Sequence, residues 1–356
     1  MANAEIINLI REVYEVGHTS PSRCEELSQI QKSDEAWTVC SEILKYSVQQ
    51  NLSVPVVTFA ALTLKRKIKK DLNSLSKENH DPLKELIIKS VITYATCKPI
   101  RTQLCLALVY LVIQSDKWND PIVTITSCLP DGDHKAIIIL EYFTILADEL
   151  TSLKDVKIKH IRRDQLRRQL NDLAPDVNQF LLSLLCQRHE DINFLCDIIN
   201  CYTIWIDGQL IDEKLLITSD GNEVQLLPFL FKHLLEAGEC SEDLHDSCTE
   251  CMCSLLQICG ENLGVNRNIL VKANNVIVSN FPRLLGSVNQ WTQEVTKPVF
   301  NLLKILVSLG YSLQNVYRLN IPDIELNDTR VLQCLLEYTK CKHYDVSYTF
   351  LFLKNL

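Results

Sequence analysis

The strongest constraint on the fold is a helical periodicity that recurs in paired segments along most of the sequence. An amphipathic helix is predicted over residues 33–47, with Ser33 or Asp34 as its N-cap. A second follows over residues 54–75, with Pro55 near its start. Each pair takes roughly 40 residues, which is the period of HEAT-type repeats. The apolar stripe of the second helix recurs every three or four residues, at Val57, Ala61, Leu64, Ile68, Leu72 and Leu75.

The same rhythm predicts further helix pairs towards the C-terminus. Their segments are 81–96 with 99–114, 119–130 with 134–150, then 176–206, 222–260 and 265–310. Only 9 glycines and 11 prolines occur in 356 residues, and no Gly/Ser/Pro-rich linker divides them. Short apolar runs that could be strands lack hairpin turn residues beside them. We therefore predict one continuous all-α, right-handed superhelical solenoid of HEAT-type, armadillo-like hairpins.

Composition excludes several classes of protein. A net charge of −8 argues against a general nucleic-acid binder, so any positive surface must be local. Fifteen cysteines, mostly within apolar runs, indicate reduced thiols used as small hydrophobic residues. The N-terminal residues do not have the pattern of a secretory signal. The longest apolar run, "LCLALVYLVI" at 104–113, is too short to span a bilayer and predicts a helix buried on most sides.

The sequence argues against catalysis and against metal binding. The sequence contains no dinucleotide-binding, P-loop, nucleophile-elbow or HExxH motif, so we predict no enzymatic activity and no cofactor. His245, Cys248, Cys251 and Cys253 resemble a zinc set, but neither Gly nor Pro separates them and their register is helical. Core packing is therefore the favoured interpretation, and a zinc-dependent or cysteine enzyme is the weakest alternative. The apolar stripe of that helix comprises Cys248, Met252, Leu255 and Cys259.

Three stretches near the N-terminus carry a family resemblance. In order, "AWTVCSEILKYS", "VPVVTFAALTLKRKIKKDLNSL" and "RTQLCLALVYLVIQSDKW" resemble the N-terminal region of the importin-β superfamily of nuclear transport receptors. Later stretches, including "ILADELTSLKDVKIKHIRRDQLRRQL" and "HDSCTECMCSLL", resemble the transportin-SR and importin 13 group. The resemblance implies importin N-terminal-type HEAT repeats over 1–115. It also implies further HEAT repeats of the exportin-1/importin-β type over 116–356, truncated at the C-terminal end.

The resemblance also implies a function. The chain is expected to bind RanGTP and nucleoporins, and to carry protein cargo such as Arg-Ser-rich splicing factors into the nucleus. It would shuttle between cytoplasm and nucleus, with no direct nucleic-acid binding and no membrane insertion. The alternative from another class is a HEAT-repeat scaffold or tethering protein without Ran dependence.

A basic stretch supplies the first candidate site. Arg66 and Lys70 fall opposite the apolar stripe, and the other three cations flank it. A solvated helix face and a partner surface are both consistent with this pattern. Nucleic-acid binding is disfavoured because no interleaved aromatic platform lies beside the stretch in sequence. By resemblance, this is an inner helix of the second repeat, where RanGTP is contacted. The candidates are Lys65, Arg66, Lys67, Lys69 and Lys70.

An acidic stretch supplies the second candidate site, since no Lys or Arg occurs from 233 to 250. It predicts either a solvated helix start or a surface that attracts basic partners. A basic run at 154–168 predicts an exposed linker and helix, or an anionic contact. The C-terminal segment 343–356 is expected to expose apolar residues and to promote self-association. The acidic candidates are Glu236, Glu239, Glu242, Asp243, Asp246 and Glu250.

Overall fold

A computed structural model describes residues 2–15, 20–115, 125–152, 160–187, 191–211, 226–235 and 241–261, with isolated positions between 275 and 312. Every regular element in these ranges is helical, and they contain no strand. The prediction of an all-α fold is confirmed. The chain divides into two compact units, residues 1–169 and 170–356. This division does not test the family-region boundary expected at 115/116, which stays a prediction.

The first unit contains seven complete described helices, α1 to α7, and the start of an eighth. Short 3₁₀ turns, Leu72–Ser74 and Lys77–Asn79, connect α4 to α5. The bounds of α1 to α7 are Ala2–Tyr14, Pro21–Lys32, Glu35–Tyr46, Val54–Asp71, His80–Thr93, Lys98–Gln114 and Asp133–Thr151. The long α8 runs from His160 to Gln187 and contains Pro175. The second unit continues with α9 Ile192–Asp207, α10 Leu226–Leu235 and α11 Glu242–Glu261.

Several helices begin where the sequence predicts. Pro55 and Pro99 each lie in the first two positions of their helices, where the missing N–H costs no hydrogen bond. Asp34 takes the N-cap position of α3 but makes no capping hydrogen bond with its side chain. Asp191 does cap α9, since its carboxylate accepts a hydrogen bond from the Phe194 amide at 3.1 Å.

Helix α6 forms the centre of the first unit. It packs against α4, α5 and α7. Nine of the ten residues in the apolar run 104–113 are buried, which confirms the prediction of a helix covered on most sides. Side chains of this kind each contribute about 1.5–3 kcal/mol when fully buried. Over the described ranges, no helix is both long and apolar enough to span a membrane.

The core of the second unit lies where α11 packs against α9 and α10. Trp205 and Tyr202 are fully buried on α9. The Tyr202 hydroxyl donates a hydrogen bond to the Asn178 side-chain oxygen at 3.0 Å, so its polar end is satisfied within the core. The predicted stripe of α11 is also buried, which confirms core packing for Cys248, Met252, Leu255 and Cys259.

The end of α4 differs from the prediction. The helix ends at Asp71, and Leu75 lies beyond the following 3₁₀ turn and is only partly buried. The Ser74 hydroxyl donates to the Asp71 carbonyl at 2.8 Å, a local bond that competes with helix continuation. Most of the segment pair expected at 265–310, and all of 343–356, lie outside the described residues.

Candidate partner surface

The five cations of α4 project in three directions, because successive residues of an α-helix are rotated by about 100°. Lys67 points towards α3 and is buried. Lys65 and Lys69 are half-buried on the side facing α6 and α7. Arg66 and Lys70 are exposed. The basic stretch is therefore not one uniform surface.

Lys67 is a structural cation. Only 4% of its side chain is exposed, and its ammonium group pairs with Asp71 at 3.1 Å and with Asp34 at 3.6 Å. The same group lies 5.6 Å from the centre of the Trp37 ring, which is a cation–π distance. A solvated helix face, one of the two interpretations of the basic stretch, is therefore wrong for Lys67. Asp34 itself has helical backbone angles, with φ of −71° and ψ of −24°, instead of the extended angles usual for a capping residue.

Lys65 and Lys69 belong to a polar network that crosses three helices. The Lys69 ammonium lies 5.0 Å from the centre of the Tyr110 ring on α6. The Tyr110 hydroxyl donates to the Glu149 carboxylate of α7 at 2.8 Å. Burial lowers the pKa of Lys65, the neighbouring charges of Arg66 and Lys69 lower it further, and Glu149 opposes that shift. Glu149 therefore offsets part of this positive charge within the protein.

Tyr110 and Glu149 are members of this surface that the sequence did not indicate. Both are about 40 residues or more from the cations they neighbour, so no local motif could have identified them. The structure does place an aromatic ring beside the basic stretch, contrary to the linear pattern. Tyr110 is buried, however, so its ring is not an open platform for stacking bases.

Arg66 and Lys70 form the solvent-facing part of the stretch, and we call them the Arg66–Lys70 row. They are four residues apart and therefore share one helix face. The Arg66 guanidinium donates to the Gln31 side-chain oxygen at 2.9 Å, and the Gln31 amide donates to Thr63 at 3.3 Å. Gln31 thereby connects the end of α2 to α4 and positions Arg66 at the surface.

The second basic run also separates into different roles. Arg162 is buried, and its guanidinium donates to the carbonyls of Ser115 at 3.0 Å and Val112 at 3.3 Å. It therefore satisfies carbonyl groups at the C-terminal end of α6, which have no partner within the helix. Arg167 and Arg168 are exposed. Lys154, Lys157 and Lys159 lie outside the described residues.

The acidic candidates lie around the first half of α11. Glu242 and Asp243 are exposed in its first turn. Asp246 accepts a hydrogen bond from the Asn301 side-chain amide at 2.5 Å. Glu250 pairs with Lys304 at 3.1 Å, so a cation distant in sequence partly neutralises this surface. Glu236 and Glu239 lie outside the described residues.

Asp197 on α9 extends this acidic surface, although the sequence pattern did not single it out. Burial is the main cause that raises the pKa of the Cys196 thiol, and the carboxylates of Asp243 and Asp197 raise it further. Both carboxylates are therefore near the same thiol, one on each of two packed helices. The exposed part of the surface comprises Glu242, Asp243 and Glu250, and it is flanked by half-buried Asp197 and Asp246.

The residues that resemble a zinc set are distributed through the core of α11. His245 is buried, burial lowers its pKa, and its Nδ1 lies 3.1 Å from the Asn301 amide nitrogen. Burial raises the pKa of Cys251 and of Cys253 to about 12, which disfavours the thiolate that binds metals. Among the described residues, no three His, Cys, Asp or Glu side chains are grouped so as to hold a metal ion.

Comparison with known protein families assigns two successive regions of the chain. Residues 25–93 match the importin-beta N-terminal domain. Residues 97–252 match the exportin 1-like protein family. These matches support the importin-β superfamily. The first region contains α3 to α5 and the Arg66–Lys70 row, and the second extends from α6 into α11. Together with the helical structure, the second match confirms a HEAT-type helical fold.

Two curated relatives extend the comparison. The mRNA transport regulator MTR10 of Saccharomyces cerevisiae is 27% identical over 238 residues, which cover 65% of this chain. An uncharacterized protein of Schizosaccharomyces pombe is 24% identical over 162 residues, which cover 45% of this chain. The matched parts span only 23% and 16% of these relatives. The transportin-SR and importin 13 subgroup is not distinguished by them.

Proposed function

We propose that this chain is the RanGTP-binding part of a nuclear transport receptor of the importin-β type. The Arg66–Lys70 row is the proposed contact. The observation that carries the proposal is that this row is exposed on α4, inside the region that matches the importin-beta N-terminal domain. The names of the matched families and of the budding-yeast relative concern transport, which also supports a non-enzymatic receptor.

The burial and contacts of the five cations favour two of them as the proposed contact. Lys67 is buried and pairs with Asp71, and Lys65 and Lys69 are half-buried beside Glu149 and Tyr110. Arg66 and Lys70 retain exposed charge on one face, where they would attract an acidic protein surface and increase the rate of encounter. Arg66 would do so while held in place by Gln31.

The proposed mechanism is thermodynamic coupling between two partners. RanGTP and cargo would favour different shapes of the helical array, so that each lowers the affinity of the other. Glu242 and Asp243 at the start of α11 form a proposed surface for basic cargo segments, such as Arg-Ser-rich chains. Nucleoporin binding, shuttling between cytoplasm and nucleus, and transport in the import direction follow from the same proposal, as does membership of the transportin-SR or importin 13 group.

The test is a pull-down with Ran loaded with GTP or GDP. The wild-type chain should bind the GTP form preferentially, and Arg66→Glu/Lys70→Glu should weaken that binding at least about tenfold. The matched control is Lys45→Glu/Lys89→Glu, which makes the same charge change at exposed positions on α3 and α5. The control should bind as wild type does, and circular dichroism should show equal helicity.

The outcomes separate the competing functions. Loss of binding in the control as well would indicate a general charge effect and not a contact at the row. Equal binding by both double variants would place the Ran contact elsewhere. A folded wild-type chain that binds neither nucleotide form would contradict the receptor proposal and favour a scaffold that acts without Ran.

A further inference from the structure

A short motif at the start of α2 is not accounted for by transport. The sequence Ser20-Pro21-Ser22-Arg23 contains the only Ser-Pro or Thr-Pro pair in the whole chain, whose other ten prolines follow different residues. The third residue after Ser20 is a cation. Protein kinases of the proline-directed class accept serine followed by proline, and their cyclin-dependent members prefer a basic residue at that third position. We propose that Ser20 is a phosphorylation site for a proline-directed kinase that reads Arg23.

The motif is accessible in the folded chain. Residues 20–26 are all exposed, and Leu27 is the only buried residue of α2. Ser20 already has extended backbone angles, with φ of −68° and ψ of 137°. The Ser20 hydroxyl is 3.2 Å from the Ser22 hydroxyl and accepts a long hydrogen bond of 3.4 Å from the Arg23 amide. Neither contact removes the Ser20 oxygen from solvent.

A kinase must straighten the first turn of α2 before it can bind the motif. Few interactions oppose this step. The turn is held by the long cap bond and by backbone hydrogen bonds from the Arg23 and Cys24 amides to the Ser20 carbonyl, at 3.0 and 3.2 Å. The Arg23 guanidinium adds pairs with Glu12 at 3.4 Å and Glu26 at 3.3 Å. All three charged side chains are about half-exposed, and exposed ion pairs of this kind contribute little to stability. Local opening of this turn is therefore inexpensive relative to unfolding of the unit.

The chemical step transfers the γ-phosphoryl group of ATP to Ser20. The bond between the γ-phosphorus and the oxygen that bridges it to the β-phosphate breaks, and a bond from phosphorus to Ser20 Oγ forms. The hydroxyl proton passes to the catalytic carboxylate of the kinase, and ADP leaves. Pro21 has no backbone N–H that would need a partner in the kinase groove.

The modified residue has a defined place in the fold. A phosphate on Ser20 stands at the N-cap of α2, where the helix dipole and the Arg23 amide, which already donates to the Ser20 hydroxyl, favour negative charge. Arg23 is the nearest cation along the chain and would be drawn from Glu12 towards the phosphate. Phosphorylation thus exchanges an ion pair between α1 and α2 for one within α2, and it orders the first turn.

The experiment treats the folded full chain with ATP and a cyclin-dependent kinase and maps the phosphate by mass spectrometry. Ser20→Ala should abolish most of the incorporation, whereas the matched control Ser22→Ala, two residues away and also exposed, should not change it. Arg23→Gln should lower the rate of phosphorylation roughly tenfold, as expected for loss of one charge-assisted contact with the kinase. Hydrogen exchange at the amides of residues 22–24 should become roughly threefold slower after modification.

Three results would overturn the proposal. One is incorporation that is unchanged in Ser20→Ala, because the phosphate would then lie elsewhere. The second is a rate of Ser20 phosphorylation that is the same in Arg23→Gln as in the wild-type chain. The third is modification of the urea-unfolded chain, diluted into the assay, but not of the folded chain, which would show that the first turn of α2 does not open. If hydrogen exchange at the amides of residues 22–24 is unchanged after Ser20 is phosphorylated, the predicted ordering of that turn is refuted.

Discussion

The ion pair between Arg101 and Glu141 offers the sharpest test of how α6 and α7 are held together. Arg101 is the fourth residue of α6, and only 6% of its side chain and 14% of that of Glu141 are exposed. The guanidinium donates to the Glu141 carboxylate and to the Ala95 carbonyl, and the Thr102 hydroxyl donates to the other carboxylate oxygen. Arg101→Met therefore leaves a largely buried carboxylate with Thr102 as its remaining partner in this cluster.

Arg101→Met should lower the free energy of unfolding by about 3–5 kcal/mol, which is the range for removing one partner of a buried ion pair. About 1 kcal/mol of this belongs to the lost hydrogen bond to the Ala95 carbonyl. The double variant Arg101→Met/Glu141→Leu removes both charges, so it should cost less than Arg101→Met alone. A coupling free energy of at least about 1.5 kcal/mol is expected from the double-mutant cycle.

Urea unfolding followed by circular dichroism measures these differences, and hydrogen exchange in α6 and α7 locates them in the first unit. The control is Lys89→Met, which removes a largely exposed lysine whose partner, Glu85, is 4.0 Å away. It should change stability by less than about 0.5 kcal/mol. If Arg101→Met costs no more than this control, or if the cycle shows no coupling, the reasoning about this buried pair is wrong.

Three further predictions concern other buried groups. Lys67→Met should lower the free energy of unfolding by only about 1 kcal/mol, because the partners of Lys67 are exposed. Lys67→Glu should lower it by at least about 2 kcal/mol, because it places a carboxylate beside two others. Urea unfolding compares the two variants. Iodoacetamide should modify exposed Cys24 in the native chain but not buried Cys40. Burial raises the pKa of the Cys40 thiol to about 12, so little of the reactive thiolate forms. Peptide mapping by mass spectrometry checks which cysteine is modified. Burial lowers the pKa of His245, so the unfolded chain binds more protons, and stability should fall as pH drops below about 6.5. His245→Gln should flatten that dependence in unfolding measurements made from pH 7.5 to 5.

Local features of the sequence predict several of the helices, but α1, α2 and the full length of α8 were not among the predicted segments. The apolar stripe and Pro55 indicated α4 within a few residues, and the run at 104–113 indicated a buried α6. The sequence places Lys67 on a flank of the stripe and does not predict its burial, because a stripe shows which face is buried but not how wide the buried arc is. That width depends on the neighbours, and α4 has four of them in α1, α2, α3 and α6.

The candidate surfaces were less predictable because their composition depends on residues distant in sequence. Lys304 pairs with Glu250 across 54 positions, although the acidic stretch contains no nearby Lys or Arg. Glu149, three helices further along the chain, opposes the lowering of the Lys65 pKa. A periodic pattern predicts which residues share a helix, but the pairing of side chains between helices depends on their axial offset, which one sequence does not reveal.

The burial of α6 on most sides has a consequence for how the chain is made. A ribosome releases α4 and α5 before α6, so two of its packing partners are already available when α6 appears. The side that contacts α7 has no cover until roughly 40 more residues have been added, which takes a few seconds at about 5–20 residues per second. During that interval a nascent chain presents an apolar helix face that chaperones recognise. Slow translation between α6 and α7 would prolong this interval and lower the yield of folded protein without any change in its final stability.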